Sequence, residues 1–277
     1  MLVAAAARAA GRSVFLIGLE GFAEPAMLAP YPHEVVRLGA VGRMKALLQA
    51  HGCAEIVLIG AVRRPPIRSL RPDAEAARLL ARIGRAAFGG DDRLLGAVVR
   101  VLEEEGFRVI GAHELLAEAL PEPGILTRAQ PDPDARADIG RGVAVARALG
   151  TADVGQGCVV QQGVVLAVEA AEGTDAMLAR AGALRLPGPG GVLVKLVKPG
   201  QERRVDLPTI GFDTIRNAAD AGLRGIAFEA RGTILASGAE TIAAADARGL
   251  FLEALDPDTG FRPGGVPAGQ TPGGGRS

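Results

Sequence analysis

The first half of the chain alternates short apolar runs with stretches of helical spacing. Val14–Gly18 and Glu55–Gly60 are apolar runs that each end in glycine, which predicts buried strands. Gly39–Ala50 and Asp91–Glu105 carry apolar residues every three or four positions, as amphipathic helices do, and Phe107–Ile110 resumes the strand pattern. Because strands that alternate with helices usually pair in parallel, this half predicts an α/β domain with a parallel sheet.

The second half combines hairpin patterns with helices. Cys158–Gln161 and Val164–Val168 flank a Gln-Gly turn, which predicts a β-hairpin, and Gly225–Glu229 with Thr233–Ala236 predict a second one. Periodicity and apolar runs predict four helices and two further strands, at Asp134–Leu149, Thr174–Ala183, Asp213–Ala221, Ala239–Ala247, Gly191–Val197 and Leu250–Ala254. This mixture indicates a separate α+β domain.

A domain boundary is predicted where proline and aspartate interrupt the pattern. Residues 128–135 read RAQPDPDA, and a chain of 277 residues is long enough for two domains. We therefore expect a parallel-sheet domain over residues 1–128, a linker over 129–137 and a second domain over 138–262. The Pro/Gly-rich residues 263–277 are expected to be disordered.

Composition excludes several classes of protein. Lys+Arg and Asp+Glu both number 31, and this zero net charge argues against a nucleic-acid partner. The two cysteines, Cys53 and Cys158, belong to no CxxC pair, so neither a disulfide framework nor a zinc site is expected, and the chain reads as cytoplasmic. The Ala-rich start, Met1–Ala10, contains Arg8 and is interpreted as an amphipathic helix rather than an export signal.

The first polar cluster follows a predicted strand and enters a predicted helix. It contains Glu169, Glu172, Gly173, Thr174 and Asp175. Carboxylate oxygens are ligands for Mg²⁺, which typically binds one or two carboxylates plus a substrate phosphate. Thr174 or Asp175 can equally well cap the helix while the acidic residues favour its N-terminal dipole, so both interpretations stay open.

The second polar cluster extends from Lys195 to Gly211 and alternates cations with an acid and turn-forming residues. Lysine and arginine neutralise phosphate oxygens, and a carboxylate at Asp206 could hold a metal or orient water. Such a combination suits hydrolysis of a phosphoanhydride, whose negative charges repel an attacking water. The alternative is a surface loop with screened ion pairs of little energetic value.

Two loops of the first half could also contact a ligand. Gly60 is followed by Arg63 and Arg64 beyond a predicted strand, where ligands bind in parallel sheets and where arginine could reach phosphate. Residues 89–92, Gly-Gly-Asp-Asp, precede a helix and form either a ligand loop or an aspartate N-cap. Dinucleotide-binding, Walker A, zinc-protease and nucleophile-elbow motifs do not occur.

Taken together, the strings IGAVRRP, GGDDRLL, EGFRVIGAHELL, DVGQGCVV, AVEAAEGTDAML, KPGQERRVDLPTIG and AAADARGLF resemble a known family. It is the metal-dependent branch of the bacterial UDP-2,3-diacylglucosamine pyrophosphatases that is not calcineurin-like. The resemblance extends from about Gly18 to about Pro257, and EGTDAML and RVDLPTIG are its most specific parts.

The resemblance implies a Rossmann-like N-terminal domain and Mg²⁺-dependent hydrolysis of UDP-2,3-diacylglucosamine to lipid X and UMP. It implies that Asp206 is essential. From charge chemistry within the matching motifs we assign catalysis to Asp206, Lys198 and Arg204. Metal binding is assigned to Asp206, Glu169 and Asp175, and substrate binding to Gly60, Arg63, Arg64, Glu172, Gly173, Thr174, Gln201 and Thr209. The amphipathic substrate implies a peripheral location at the cytoplasmic face of the inner membrane, and a homodimer is possible.

The beginning of the chain departs from the family pattern. Members begin with a strand and a glycine-rich turn, read as GLIAGGGRLP, whereas this sequence begins within the helix that follows. We therefore expect the first strand and its nucleotide-side loop to be missing. The alternative function is a non-catalytic protein of the same fold that binds a sugar nucleotide or lipid. A nucleotide-sugar oxidoreductase is disfavoured because the dinucleotide fingerprint is lacking.

Overall fold

The chain divides into two compact units in a computed structural model, which describes residues 1–60, 62, 70–84, 91–116 and 119–257. One unit comprises Met1–Leu120 and Gly200–Leu207, and the other comprises Pro121–Pro199 and Pro208–Ser277. The segment predicted as a linker, residues 129–137, contains the N-cap Asp132 and the first turn of a helix. The sequence predictions for Arg63, Arg64, Gly89, Gly90, the side chains of Asp91 and Asp92, and residues 263–277 lie outside the described residues.

The first unit contains short parallel strand pairs and helices. Its elements are α1 Leu2–Ala9, β1 Leu16–Leu19, α2 Pro25–Leu28, β2 His33–Val36, α3 Val41–Ala50, β3 Glu55–Ile56, α4 Ala74–Ile83, α5 Asp91–Glu104, β4 Arg108–Val109 and α6 Ala112–Leu115. β1 pairs with β2 and β3 pairs with β4, both in parallel. The parallel pairing agrees with the sequence pattern, and a Rossmann-like arrangement of this unit stays a prediction.

The second unit is built on a six-stranded mixed sheet. Its elements are β5 Gly124–Ile125, α7 Pro133–Thr151, β6 Gly157–Gln161, β7 Val164–Val168, α8 Gly173–Ala183, β8 Val192–Lys195, β9 Thr209–Ile210, α9 Phe212–Asp220, β10 Gly225–Glu229, β11 Ile234–Leu235, α10 Gly238–Ala247 and β12 Phe251–Leu255. The strand order is β5-β12-β10-β8-β6-β7, with β8, β10 and β12 parallel. The mixed α/β class is thereby confirmed.

One predicted hairpin is confirmed and the other is wrong. β6 and β7 pair antiparallel around Gln162 and Gly163, whose φ angles of 53° and 76° suit a tight hairpin turn. β10 instead pairs in parallel with β8 and β12, and β11 pairs in parallel with β9. The apolar run Gly225–Glu229 is a central strand, so its partners come from distant parts of the chain and not from the adjacent run.

Two hydrophobic layers cover the faces of this sheet. α7 supplies Ile139 and Val143 to one layer, and α8, α9 and α10 pack on the other face around the buried Phe228. α7 approaches β8 closely, because a Cβ added at Gly142 would lie 2.4 Å from a methyl carbon of Val194. Within the described ranges, no helix has both the length and the apolarity that crossing a bilayer requires.

Candidate active site

Three side chains of the second unit form a buried polar group at the carboxyl end of β8. Strand alternation places Glu169 and Lys195 on the same face of the sheet, and Thr174 lies in the first turn of α8. Lys195 Nζ donates to Thr174 Oγ1 at 2.6 Å, and Thr174 Oγ1 donates to Glu169 Oε1 at 2.6 Å. Lys195 Nζ lies 3.8 Å from Glu169 Oε1. The first polar cluster is therefore joined to the second by a lysine.

The other acids of the first cluster have their own partners. Glu172 accepts hydrogen bonds from its own backbone N–H and from Arg180, which lower its pKa. Asp175 accepts from Asn217 Nδ2 at 2.8 Å. Gly173 has φ +81°, a conformation that strains other residues, so glycine is required where the chain enters α8. The structure thus uses Glu172 and Asp175 in surface pairs around this helix.

Asp206 lies in the segment Gly200–Leu207, which belongs to the first unit. Gln201 Nε2 donates to Asp206 Oδ2 at 2.7 Å. Arg204 donates through Nε and Nη2 to the two carboxylate oxygens of Glu202, at 2.8 Å each, and it also pairs with Glu103 of α5. The hydrogen bond from Arg204 lowers the pKa of Glu202. Arg204 therefore attaches the Asp206 segment to α5 and already faces two carboxylates.

The remaining predicted residues are dispersed. Lys198 of the second unit donates to Asp153 at 3.0 Å. Thr209 is exposed on β9, and Gly60 is exposed with φ +99°. The structure therefore brings together Glu169 with Thr174, and Gln201 with Asp206, in different units.

Sequence reasoning did not include among its site residues three residues that contact the predicted set: Lys195, Glu103 and Asp153. For Lys195 a signal was available, since GVLVKLV places one lysine inside an otherwise apolar strand. Glu103 lies within the predicted amphipathic helix Asp91–Glu105. Its pairing with Arg204 links residues 101 positions apart, and no local pattern indicates such a contact.

The described residues contain no group of three or more His, Cys, Asp or Glu side chains arranged to hold a metal ion. Three residues were predicted as magnesium ligands, Glu169, Asp175 and Asp206. In each of them one carboxylate oxygen accepts a hydrogen bond from another side chain. Beside Glu169 the Lys195 ammonium already supplies a positive charge. A magnesium site that uses these residues stays a prediction.

The fold and these side-chain groups define an α/β protein of two units in which carboxylates are paired with lysine and arginine. A family model described as LpxI N-terminal domain matches residues 1–119, and one described as LpxI C-terminal domain matches residues 122–253. A curated UDP-2,3-diacylglucosamine pyrophosphatase LpxI from Caulobacter vibrioides is 45% identical over 255 residues, which cover 90% of this chain and 91% of that protein. The chain belongs to the LpxI family, as its motifs predicted.

Proposed function

We propose that this protein hydrolyses the pyrophosphate bond of UDP-2,3-diacylglucosamine, yielding lipid X and UMP for lipid A biosynthesis. The observation that carries the proposal is the 45% identity to a pyrophosphatase of that name across 90% of the chain. Both LpxI domain models match, and they meet near residue 120, where the structure also divides. The likeness therefore includes both units.

Asp206 is the proposed centre of the chemistry. Gln201 holds Oδ2, and among the described residues no donor is directed to Oδ1. Oδ1 is thus suited to accept a proton from the attacking water or to bind Mg²⁺. The proposed Mg²⁺ would neutralise charge on the phosphates. Attack by water requires such neutralisation because the phosphoanhydride repels nucleophiles.

The cations have separate roles in this proposal. Lys198 neutralises a phosphate oxygen, exchanging its pairing with Asp153 for the substrate. Arg204 positions the segment that carries Asp206, because its guanidinium is already paired with Glu202 and Glu103. Substrate contacts are proposed at Gly60, Arg63, Arg64, Glu172, Gly173, Thr174, Gln201 and Thr209.

An amphipathic substrate implies where the enzyme works. Its acyl chains remain in the bilayer while the nucleotide reaches into water, so we propose peripheral binding at the cytoplasmic face of the inner membrane. A homodimer is proposed as well. Sedimentation of the purified protein with anionic lipid vesicles, and its mass by light scattering, test these two points separately.

The function is tested by hydrolysis of UDP-2,3-diacylglucosamine with Mg²⁺ and with EDTA. We expect UMP and lipid X as products, loss of turnover in EDTA, and a fall in kcat of at least about a hundredfold in Asp206→Asn. Asp213→Asn is the matched control, since Asp213 is 72% exposed and, within the described ranges, forms a local ion pair with Arg216. A folded wild-type chain without turnover would overturn the proposal and favour a binding protein of the same fold.

A further inference from the structure

The buried group in the second unit has unused hydrogen-bonding capacity. Glu169 Oε2 is buried and has no partner among the described residues. Lys195 Nζ has three N–H groups, of which one donates to Thr174, and no further acceptor is found for it in the described part of the chain. The two side chains are only 8% and 7% exposed. One acceptor is therefore buried without a partner, and the lysine has two N–H groups for which the described part of the chain supplies no hydrogen-bond acceptor.

Such an arrangement is unfavourable for folding alone. Buried charges are normally paired at close range and fully hydrogen-bonded, whereas Lys195 Nζ is 3.8 Å from the nearest oxygen of Glu169. The chain nevertheless makes room for the carboxylate, because a Cβ at Gly157 would lie 3.0 Å from Glu169 Oε2. Gly155 allows a close backbone contact at the same residue, since a Cβ there would lie 2.0 Å from the Glu169 carbonyl oxygen.

The location of this group points to a ligand. It lies at the carboxyl end of β8, where ligands bind in open α/β sheets, and beside the first turn of the eleven-residue helix α8. Thr174, at intermediate exposure, is the most accessible of the three residues. Rotation of its side chain would open a path from the surface to Glu169 and Lys195.

The unused groups define the ligand's chemistry. A phosphate offers acceptors only and would be repelled by Glu169, and a metal ion would be repelled by the Lys195 ammonium. A hydroxyl both donates and accepts, and one hydroxyl oxygen can reach a carboxylate and an ammonium that lie this close together. We propose that Glu169 and Lys195 bind a hydroxyl of the sugar ring of the substrate, an inference that rests on the proposed function.

The test is calorimetric binding of UDP-N-acetylglucosamine and of UDP to the full chain. We expect Glu169→Gln and Lys195→Met each to weaken binding of the sugar nucleotide roughly tenfold while leaving the affinity for UDP unchanged, because only the sugar contact is lost. Glu253→Gln is the matched control. Glu253 is also buried, with an oxygen that lacks a described partner, but it pairs with Arg136 in the middle of β12.

Each other outcome overturns the inference. Equal weakening of UDP and sugar nucleotide would assign the group to the phosphates or the uracil. Loss of Mn²⁺ binding in Glu169→Gln would make Glu169 a metal ligand, and a lower melting temperature with both affinities unchanged would make the group structural. A wild-type chain that hydrolyses the substrate while Glu169→Gln binds the sugar nucleotide normally would overturn this inference alone. A wild-type chain that neither binds nor hydrolyses would overturn the proposed function as well.

Discussion

The segment that carries Asp206 is held by Arg204, and substitution of this arginine tests that role. Arg204 is two-thirds buried and contacts Glu202 through two N–H groups, with Glu103 of α5 as its other partner. The segment also packs closely on Gly111 at the start of α6, where an added Cβ would lie 3.2 Å from the Arg204 Cα. Arg204→Met keeps much of the side-chain volume and removes all of these hydrogen bonds.

The exposure of the Arg204 side chain sets the expected loss of free energy in Arg204→Met. A hydrogen bond to a charged group contributes about 1.5–3 kcal/mol when buried, but solvent reduces this strongly for a side chain one-third exposed. We therefore expect a local loss of about 1–2 kcal/mol, or roughly 5- to 30-fold in the opening equilibrium of the segment. The amides of Val205 and Asp206 report this opening, since both donate to the Glu202 carbonyl at 3.0 and 3.1 Å.

Hydrogen exchange measures the effect without assuming any activity. Both amides should exchange roughly 5- to 30-fold faster in Arg204→Met, and kcat should fall while the melting temperature changes little. Arg78→Met is the control in the same unit, because Arg78 is 70% exposed and its ion pair among the described residues is with Glu75 one turn away. Unchanged exchange at positions 205 and 206 would show that the arginine does not hold the segment.

The contact between Arg204 and Glu202 also predicts how the stability of this segment changes with pH. Arg204 lowers the pKa of Glu202 below the ordinary glutamate value of 4.5. A carboxylate whose folded pKa is depressed stabilises the structure above its unfolded value, and that contribution is lost as the pH falls through the folded pKa. Protection of the two amides, corrected for intrinsic exchange, should therefore be complete above about pH 4.5 and decline below it. Arg204→Met should lack this acid step.

Two further predictions concern packing and thiol chemistry. Gly142→Ala should lower the melting temperature of the second unit by about 2–8 °C, since the new Cβ would overlap Val194 at a cost of about 1–3 kcal/mol. Gly96→Ala, where the added Cβ meets nothing within 4 Å, should instead stabilise α5 by about 0.5–1 kcal/mol, and a destabilised Gly96 variant would contradict this. Burial raises the pKa of Cys158 to about 12, so iodoacetamide at pH 8 should label Cys53 first and Cys158 only after unfolding, as peptide mass spectrometry would show.

Local sequence patterns predicted those elements whose structure depends mainly on residues that are adjacent in sequence. The Gln162-Gly163 turn has two positive φ angles, the second of them at a glycine, and the β6–β7 hairpin follows from it. The helix α7 was likewise predicted over Asp134–Leu149, although Asp132 and Pro133, which cap and begin it, were assigned to the linker. Such features depend on neighbours in sequence, so a single sequence is sufficient to find them.

Contacts between distant segments were not predictable in this way. The run Gly225–Glu229 was assigned to a hairpin, although β8 and β12, more than twenty residues away in either direction, are its partners. Likewise, no local pattern predicts that Gly200–Leu207 packs with the first unit while its flanking residues belong to the second. For the candidate site, the roles of the predicted residues stay predictions, and the pairing of Thr174 with Lys195 and of Arg204 with Glu103 depends on tertiary structure.

The pairing of these charges has a consequence for how the protein would bind a phosphoanhydride. Lys198 and Arg204 are both paired with carboxylates, so a phosphate must compete with a carboxylate to bind either of them. A phosphate group can displace a carboxylate from lysine because it has more charge and more acceptor oxygens, whereas the two-pronged contact of Arg204 with Glu202 is harder to replace. The carboxylate of Asp153, which is partly exposed, is therefore easier to replace at Lys198 than that of Glu202 is at Arg204. Binding by exchange would make the positions of Asp153 and Glu202 as relevant to activity as the cations they contact.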